Sequence, residues 1–227
     1  MSVQKLIFWD IDGTLLHCGS DGRKALNRTF FELYNIKDAF ESSDIGGAMD
    51  SMILMGIMKS HAIGQDQLPI IVRHYQKVLA DVLDNNKDKR ILPGVPKLLE
   101  TIHYSDNSEN ALLTSNLRIG AMTKLNSVGL GHFFKLGGFG DEPGEKWDAA
   151  YACIREAEEV FDTVLPKDRI YLIGDSVYDI LCAQKLGIKS IAVGTGWTDA
   201  DSLLAYKPDH FFPDLSDTEQ VLEAIDL

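Results

Sequence analysis

Leu6-Ile7-Phe8-Trp9-Asp10-Ile11-Asp12-Gly13-Thr14 begins with four apolar residues, places two acids either side of an isoleucine, and ends in a turn sequence. The apolar run is short and reads as a buried strand. Asp12-Gly13-Thr14 breaks it with turn chemistry. Alternate residues of a strand share a face, so if the strand continues, Asp10 and Asp12 point the same way. Two acids that close repel each other, and a cation beside them relieves the cost. Hard carboxylate and carbonyl oxygens suit Mg2+. Gly13 supplies freedom for the turn, and Thr14 a hydroxyl and a helix-start cap. An ordinary Asx-type turn at a strand end uses the same residue types and is the structural alternative.

Outward from this stretch the chain divides unevenly. Helical patterns with Ala25, Leu26, Phe30 and Leu33, then 52–58, then 71–83, follow the first strand, with a Gly-containing break at 42–50. After a polar connector at 85–90, strand and helix alternate. Strands are expected at 111–114, 133–136, 170–173, 190–193 and 210–212, and helices at 95–102, 119–128, 147–160, 177–186, 201–206 and 217–225. Repeated alternation with apolar strands implies a parallel sheet covered on both faces. The predicted fold is α/β: a Rossmann-like parallel sheet core, residues 1–17 and 89–227, interrupted after its first strand by an all-α insert, residues 18–88.

Composition narrows the function classes. Of 227 residues, 45% are apolar, enough for a sizeable core. The 34 acidic residues outnumber the 22 basic ones, for a net charge of −12. No Lys/Arg-rich block marks a nucleic-acid footprint. Such a chain binds an anion only through a local device: a metal ion, a helix N-terminus or a placed Lys. Cys18, Cys153 and Cys182 are odd in number and lack C-x-x-C spacing, which points to reduced thiols in a cytoplasmic protein. No signal peptide is visible in 1–10, and no apolar run approaches the ~20 residues that span a bilayer.

In open α/β sheets, ligands bind beyond the carboxyl ends of the strands. The expected strands end in Asp10-Ile11-Asp12, in Thr114-Ser115-Asn116 and in Gly174-Asp175-Ser176, with Asp179 four residues after Asp175 and Lys146 opening the helix between. Each has an ordinary reading. Acids suit a helix N-terminus, and Thr114-Ser115-Asn116 suits an N-cap. Lys146 is less ordinary, because cations prefer the other end of a helix.

Together these residues resemble the four motifs of the haloacid dehalogenase superfamily: Asp10-Ile11-Asp12-Gly13-Thr14, Thr114, Lys146 and Gly174-Asp175-Ser176-Val177-Tyr178-Asp179. The insert matches that family's C1-type helical cap, shared by phosphoglycolate phosphatase-like and β-phosphoglucomutase-like members. The resemblance implies a Mg2+-dependent phosphatase acting on a small phosphate ester. Asp10 would be the nucleophile that forms an aspartyl phosphate. Asp12 would protonate the leaving alkoxide and then activate water, in surroundings that favour its neutral form. The Asp10 carboxylate, the Asp12 carbonyl and Asp175 would hold the metal, with Asp179 in support. Thr114, Ser115, Asn116 and Lys146 would bind the phosphoryl group. A phosphosugar mutase or a non-catalytic regulator on the same fold are the alternatives, and a monomer or homodimer is expected.

Residues 45–50, Ile-Gly-Gly-Ala-Met-Asp, resemble a cap specificity loop, with Gly47 and Ala48 as candidates. Ala48 stands where relatives often carry a basic residue, which argues against a carboxylate-bearing substrate. Arg23 and Lys24 could replace that charge, or could simply be solvated.

Overall fold

The computed structural model describes residues 3–40 and 47–227. Strand β1 (Lys5–Trp9) lies at the centre of a six-stranded sheet. Its side chains alternate, as a strand requires. Leu6 and Phe8 enter one apolar layer and Ile7 and Trp9 the other, all four with no solvent exposure.

A short strand β2 (Leu16–His17) follows, and the chain then forms α1 (Asp21–Tyr34), α2 (Asp50–Ser60) and α3 (Leu68–Asn85). It returns through β3 (Arg90–Ile91), which pairs antiparallel with β2. Next come α4 (Val95–His103), β4 (Ser108–Leu113), α5 (Arg118–Asn126), β5 (Leu136–Gly138), α6 (Lys146–Phe161) and β6 (Ile170–Gly174). The chain ends with α7 (Val177–Leu186), β7 (Lys189–Val193), α8 (Ala200–Ala205), β8 (His210–Phe212) and α9 (Thr218–Ala224). The sheet order is β5-β4-β1-β6-β7-β8, and every pair is parallel. The expected Rossmann-like parallel sheet is present.

Helices α4, α5 and α9 cover the Ile7/Trp9 face through Leu98, Leu99, Ala121, Leu125 and Val221. Helices α6 and α7 cover the Leu6/Phe8 face through Ala150, Cys153, Ala157, Cys182, Ala183 and Leu186. The first layer continues without interruption into α1, α2 and α3 through Phe30, Leu54, Ile71, Tyr75 and Leu79. The inserted helices therefore share one core with α5, rather than standing apart from the sheet.

Two expectations need correction. The strand expected at 133–136 is displaced: Gly131–Phe133 is a tight 3-10 turn, and the strand is Leu136–Gly138. Glycines at 137 and 138 read as strand breakers, yet they belong there. A Cβ on Gly137 would lie 2.9 Å from the Leu112 Cβ, and one on Gly138 would lie 2.7 Å from the Ala149 carbonyl oxygen. Close backbone approach selects glycine at both positions. Thr14 caps no helix; its hydroxyl donates to Asp175 Oδ1 at 3.1 Å. Part of the loop at 45–50, Ile45 and Gly46, lies outside the described residues.

Candidate active site

Because β1 sits between β4 and β6, the carboxyl ends of all three strands lie side by side. Asp10 follows β1, and its backbone N–H donates to the Ile173 carbonyl of β6 at 3.0 Å. Asp175 follows β6. Its carboxylate accepts from Thr14 and is packed so tightly that a Cβ on Gly13 would lie 2.5 Å from its Oδ2. Gly13 has φ +90, a conformation that glycine tolerates and side chains avoid.

Asp179 lies in the first turn of α7, in a capping box with Ser176. Its Oδ2 accepts from the Ser176 backbone N–H at 3.1 Å and the Ser176 hydroxyl at 2.6 Å. Its Oδ1 is left for Lys146. That lysine opens α6, whose start is fixed by a Glu145/Asp148 capping box. The buried Nζ donates to Asp179 Oδ1 at 2.5 Å and to Asp10 Oδ1 at 2.8 Å. A cation at a helix head, unfavourable for the helix dipole, is here committed to two carboxylates.

Carboxylate oxygens of Asp10, Asp175 and Asp179 all lie within 4.8 Å of one another. One ammonium faces three acids. Burial pushes the Asp175 carboxyl up to about 8, with repulsion from Asp10 and Asp179 adding to it. Burial likewise raises Asp10 to about 6, tempered by Lys146 and increased by Asp179 and Asp12. An all-oxygen donor set with surplus negative charge fits a hard divalent cation such as Mg2+.

Asp12 turns elsewhere. Its Oδ2 accepts from Lys124 Nζ at 2.5 Å and Asn116 Nδ2 at 3.0 Å, and its Oδ1 faces the Cys18 thiol at 3.3 Å. Burial alone would raise this carboxyl. The Lys124 ammonium, by charge and hydrogen bond, together with Asn116 and Cys18, instead holds it below the usual aspartate range. The expectation of surroundings that favour neutral Asp12 is therefore corrected: the buried Lys124 ammonium favours its ionised form.

Thr114 is fully buried, and its Oγ1 accepts from the Asn116 side chain at 2.8 Å. The following loop is gripped by the start of α2. Asp50 N–H donates to the Ser115 carbonyl at 2.8 Å, Leu117 N–H donates to Asp50 Oδ2 at 3.0 Å, and Ser51 N–H donates to the Gly140 carbonyl at 3.0 Å. Between α1, α2, α3 and this loop lies a pocket of about 440 Å³ that reaches Asp12, Ser115 and Asn116.

The expected insert residues are more peripheral. Gly47 has φ +77, and an added Cβ would lie 2.6 Å from the Tyr178 ring. Ala48 is half-buried against the apolar core. Arg23 reaches the pocket, with its guanidinium 4.5 Å from the Phe40 ring centre, whereas Lys24 pairs with Asp21 at 3.1 Å.

Sequence reasoning missed Lys124, Asp50, Tyr75 and Trp197, all on the pocket wall. Lys124 did leave a signal. It falls three residues after Ala121 and just before Leu125, on the core-facing stripe of α5, where an unpaired lysine has no ordinary place.

A fold of this topology with acids, a threonine and a lysine gathered at its strand ends belongs with phosphoryl-transferring hydrolases. Residues 7–193 match the model of the haloacid dehalogenase-like hydrolase family, and the chain belongs to that family. It is 25% identical to a 5'-nucleotidase of Pseudomonas aeruginosa, over 96% of this chain and 95% of that protein. It is 23% identical to a phosphoglycolate phosphatase of Agrobacterium fabrum, over 93% and 89% respectively. Its fold resembles that of CbbY from Rhodobacter sphaeroides, solved in complex with phosphate, with a TM-score of 0.74 at 17% identity over 99% of this chain and 100% of that one. The chain is a hydrolase of the phosphatase-like class, as the motif resemblance implied. Among the described residues no helix is long and apolar enough to cross a membrane.

Proposed function

We propose that this protein is a Mg2+-dependent phosphatase that hydrolyses a small phosphomonoester through an aspartyl phosphate on Asp10. The observation that carries this reading is the Lys146 Nζ bridge between Asp10 and Asp179, beside Asp175. It holds one Asp10 oxygen and orients the other. The Asp10 and Asp175 carboxylates and the Asp12 carbonyl are the assigned metal-holding groups. A bound Mg2+ would supply the charge neutralisation that lets an anionic nucleophile meet an anionic phosphate.

In this reading Asp10 forms a bond to phosphorus as the bond to the ester oxygen breaks. Thr114, the loop at 115–116 and Lys146 take the phosphoryl oxygens. Asp12 serves the two halves of the reaction differently. As an ionised group held by Lys124, it is ready to take a proton from the water that cleaves the aspartyl phosphate. To protonate the departing alkoxide it must first gain a proton, and an arriving phosphate dianion favours this by raising its affinity for protons. Residues 18–88 act as the cap over a core made of 1–17 and 89–227, supported by the β2–β3 ribbon at the two crossings. Three buried, unpaired cysteines accord with a cytoplasmic setting.

The test is release of inorganic phosphate from a panel of phosphomonoesters by the wild type and Asp10→Asn. Asp10→Asn is expected to lose roughly 10⁴-fold or more in kcat, as removal of a nucleophile does elsewhere. Turnover by Asp10→Asn at the wild-type rate overturns the assignment.

A further inference from the structure

Asp50 opens α2, and the hydrogen bonds at this helix start go to the core rather than to the helix itself. The first N–H groups of an α-helix have no partner within it. The residue before the helix, Met49, supplies none from its side chain. The Asp50 N–H donates instead to the Ser115 carbonyl at 2.8 Å, and the Ser51 N–H to the Gly140 carbonyl at 3.0 Å. The Asp50 side chain returns the contact, since its Oδ2 accepts from the Leu117 N–H at 3.0 Å. One residue of the insert thus holds the loop after β4 at two points, the carbonyl of 115 and the amide of 117.

The core completes the grip. The Gly140 N–H donates to the Asn116 carbonyl at 2.8 Å, and the Asp141 carboxylate accepts from the Arg118 N–H at 3.2 Å. A Cβ on Gly140 would lie 1.9 Å from the Ser115 carbonyl oxygen and 3.1 Å from the Asp50 nitrogen, so these segments meet backbone to backbone. From the same loop the Asn116 side chain donates to Asp12 Oδ2 at 3.0 Å and to Thr114 Oγ1 at 2.8 Å. A displaced loop therefore carries with it the amide that touches Asp12. Asp50 also lies on the pocket wall. A negative charge there works against an anionic ester, so direct contact with substrate does not account for it.

We propose that Asp50 is a positioning residue: it fixes the backbone at 115–117 so that Thr114, Ser115 and Asn116 meet the phosphoryl group, and it acts through that loop rather than on the leaving group. This rests on the phosphatase reading and adds to it a residue outside the four motifs. The anchor belongs to the insert and the loop to the core, so the phosphoryl-binding backbone takes its working geometry only with α2 docked. Misplacing a binding group by about 1 Å can cost about 100-fold in rate.

The experiment measures kcat and KM for p-nitrophenyl phosphate and glycerol phosphate, and the Ki of inorganic phosphate, all in MgCl2. It compares the wild type with Asp50→Ala, Asp50→Asn and Gly140→Ala, each checked for folding by circular dichroism. Asp50→Ala should lower kcat/KM about 10–100-fold for both esters alike and raise the Ki of phosphate. Asp50→Asn keeps an oxygen that can accept from the Leu117 N–H, and should recover most of the loss. Gly140 is not among the described residues of the pocket wall, yet Gly140→Ala forces the Ser115 carbonyl to move, so it should reproduce the Asp50→Ala pattern. Wild-type kinetics in Asp50→Ala, a loss confined to one ester, or an unaltered Ki of phosphate in Gly140→Ala overturns the inference and leaves the phosphatase reading standing. So does a loss of more than about tenfold in Asp50→Asn, which decides the matter even where Asp50→Ala does not fold. A wild type that releases phosphate from neither ester overturns both.

Discussion

Lys124 Nζ lies 2.5 Å from Asp12 Oδ2 and 2.7 Å from Asn116 Oδ1, at the point where α5 meets the inserted helices. The lysine is 4% exposed and Asp12 24%. Removing either charge alone strands the other in a poorly solvated place. Truncating one partner of a buried ion pair typically costs about 3–5 kcal/mol. Lys124→Met should therefore lose roughly 3 kcal/mol of stability in urea titrations. Adding Asp12→Asn to Lys124→Met should recover at least half of that loss. Strictly additive losses in the double mutant would show that the two groups are not coupled.

Three buried carboxyls, Asp175 and Asp10 of the acid cluster and Asp50 of the pocket wall, set a pH dependence with a definite sign. Asp175 is raised to about 8, and Asp10 and Asp50 to about 6, from an ordinary value of 3.8. Folding then favours the protonated forms. Their stabilising contribution is complete below about pH 4 and is lost as pH rises through about 6 and then 8. Asp12, shifted the other way, acts only at lower pH. In chelator, the urea midpoint should fall between about pH 5 and pH 9. A midpoint that climbs across this window would contradict the burial that raises these three carboxyls.

Added Mg2+ should reverse that fall, because a cation that binds only the folded chain stabilises it by mass action. At one hundred times its Kd the gain is about 2.7 kcal/mol. The thermal midpoint should rise with MgCl2, more at alkaline than at acidic pH, and chelator should stop phosphate release reversibly. Full activity in excess chelator would remove the metal from the account.

Gly196→Ala tests how the cluster is held. The added Cβ would lie 1.6 Å from Asp175 Oδ2, so the carboxylate must move. Displacing a metal-holding group through its neighbour commonly costs about 10–100-fold in metal affinity. We expect Mg2+ titrations to shift by at least tenfold while the circular dichroism spectrum stays that of the wild type. Unchanged Mg2+ affinity would mean that Gly196 does not set the position of Asp175.

The first and last motifs were legible because each is written locally, whereas Thr114 and Lys146 were recognised through their order and spacing. A short apolar run followed by Asp10-Ile11-Asp12-Gly13 carries its own strand and turn chemistry. Gly174-Asp175-Ser176 followed by Asp179 spells a strand end and a helix start. Lys146 was conspicuous because it sits at the wrong end of a helix for its charge. The displaced β5 was less legible. Gly137 and Gly138 are chosen by the backbone of α6 and the side chain of Leu112, neither of which is near them in sequence.

By itself the sequence determined the order of the six core strands and the helices around them, the family motifs and which acids stand at strand ends, but not the β2–β3 ribbon. Apolar periodicity and turn chemistry act over a few residues, so they survive in a linear reading. Only the tertiary structure decided that Lys124 is buried against Asp12 and favours its ionised form, and that Trp197 lines the pocket. Those properties depend on charges and walls supplied by α1, α2, α3 and α5 across more than a hundred residues of chain, as the separation of 112 between Asp12 and Lys124 illustrates. Burial and Coulomb energy follow distance in space, which the sequence does not state.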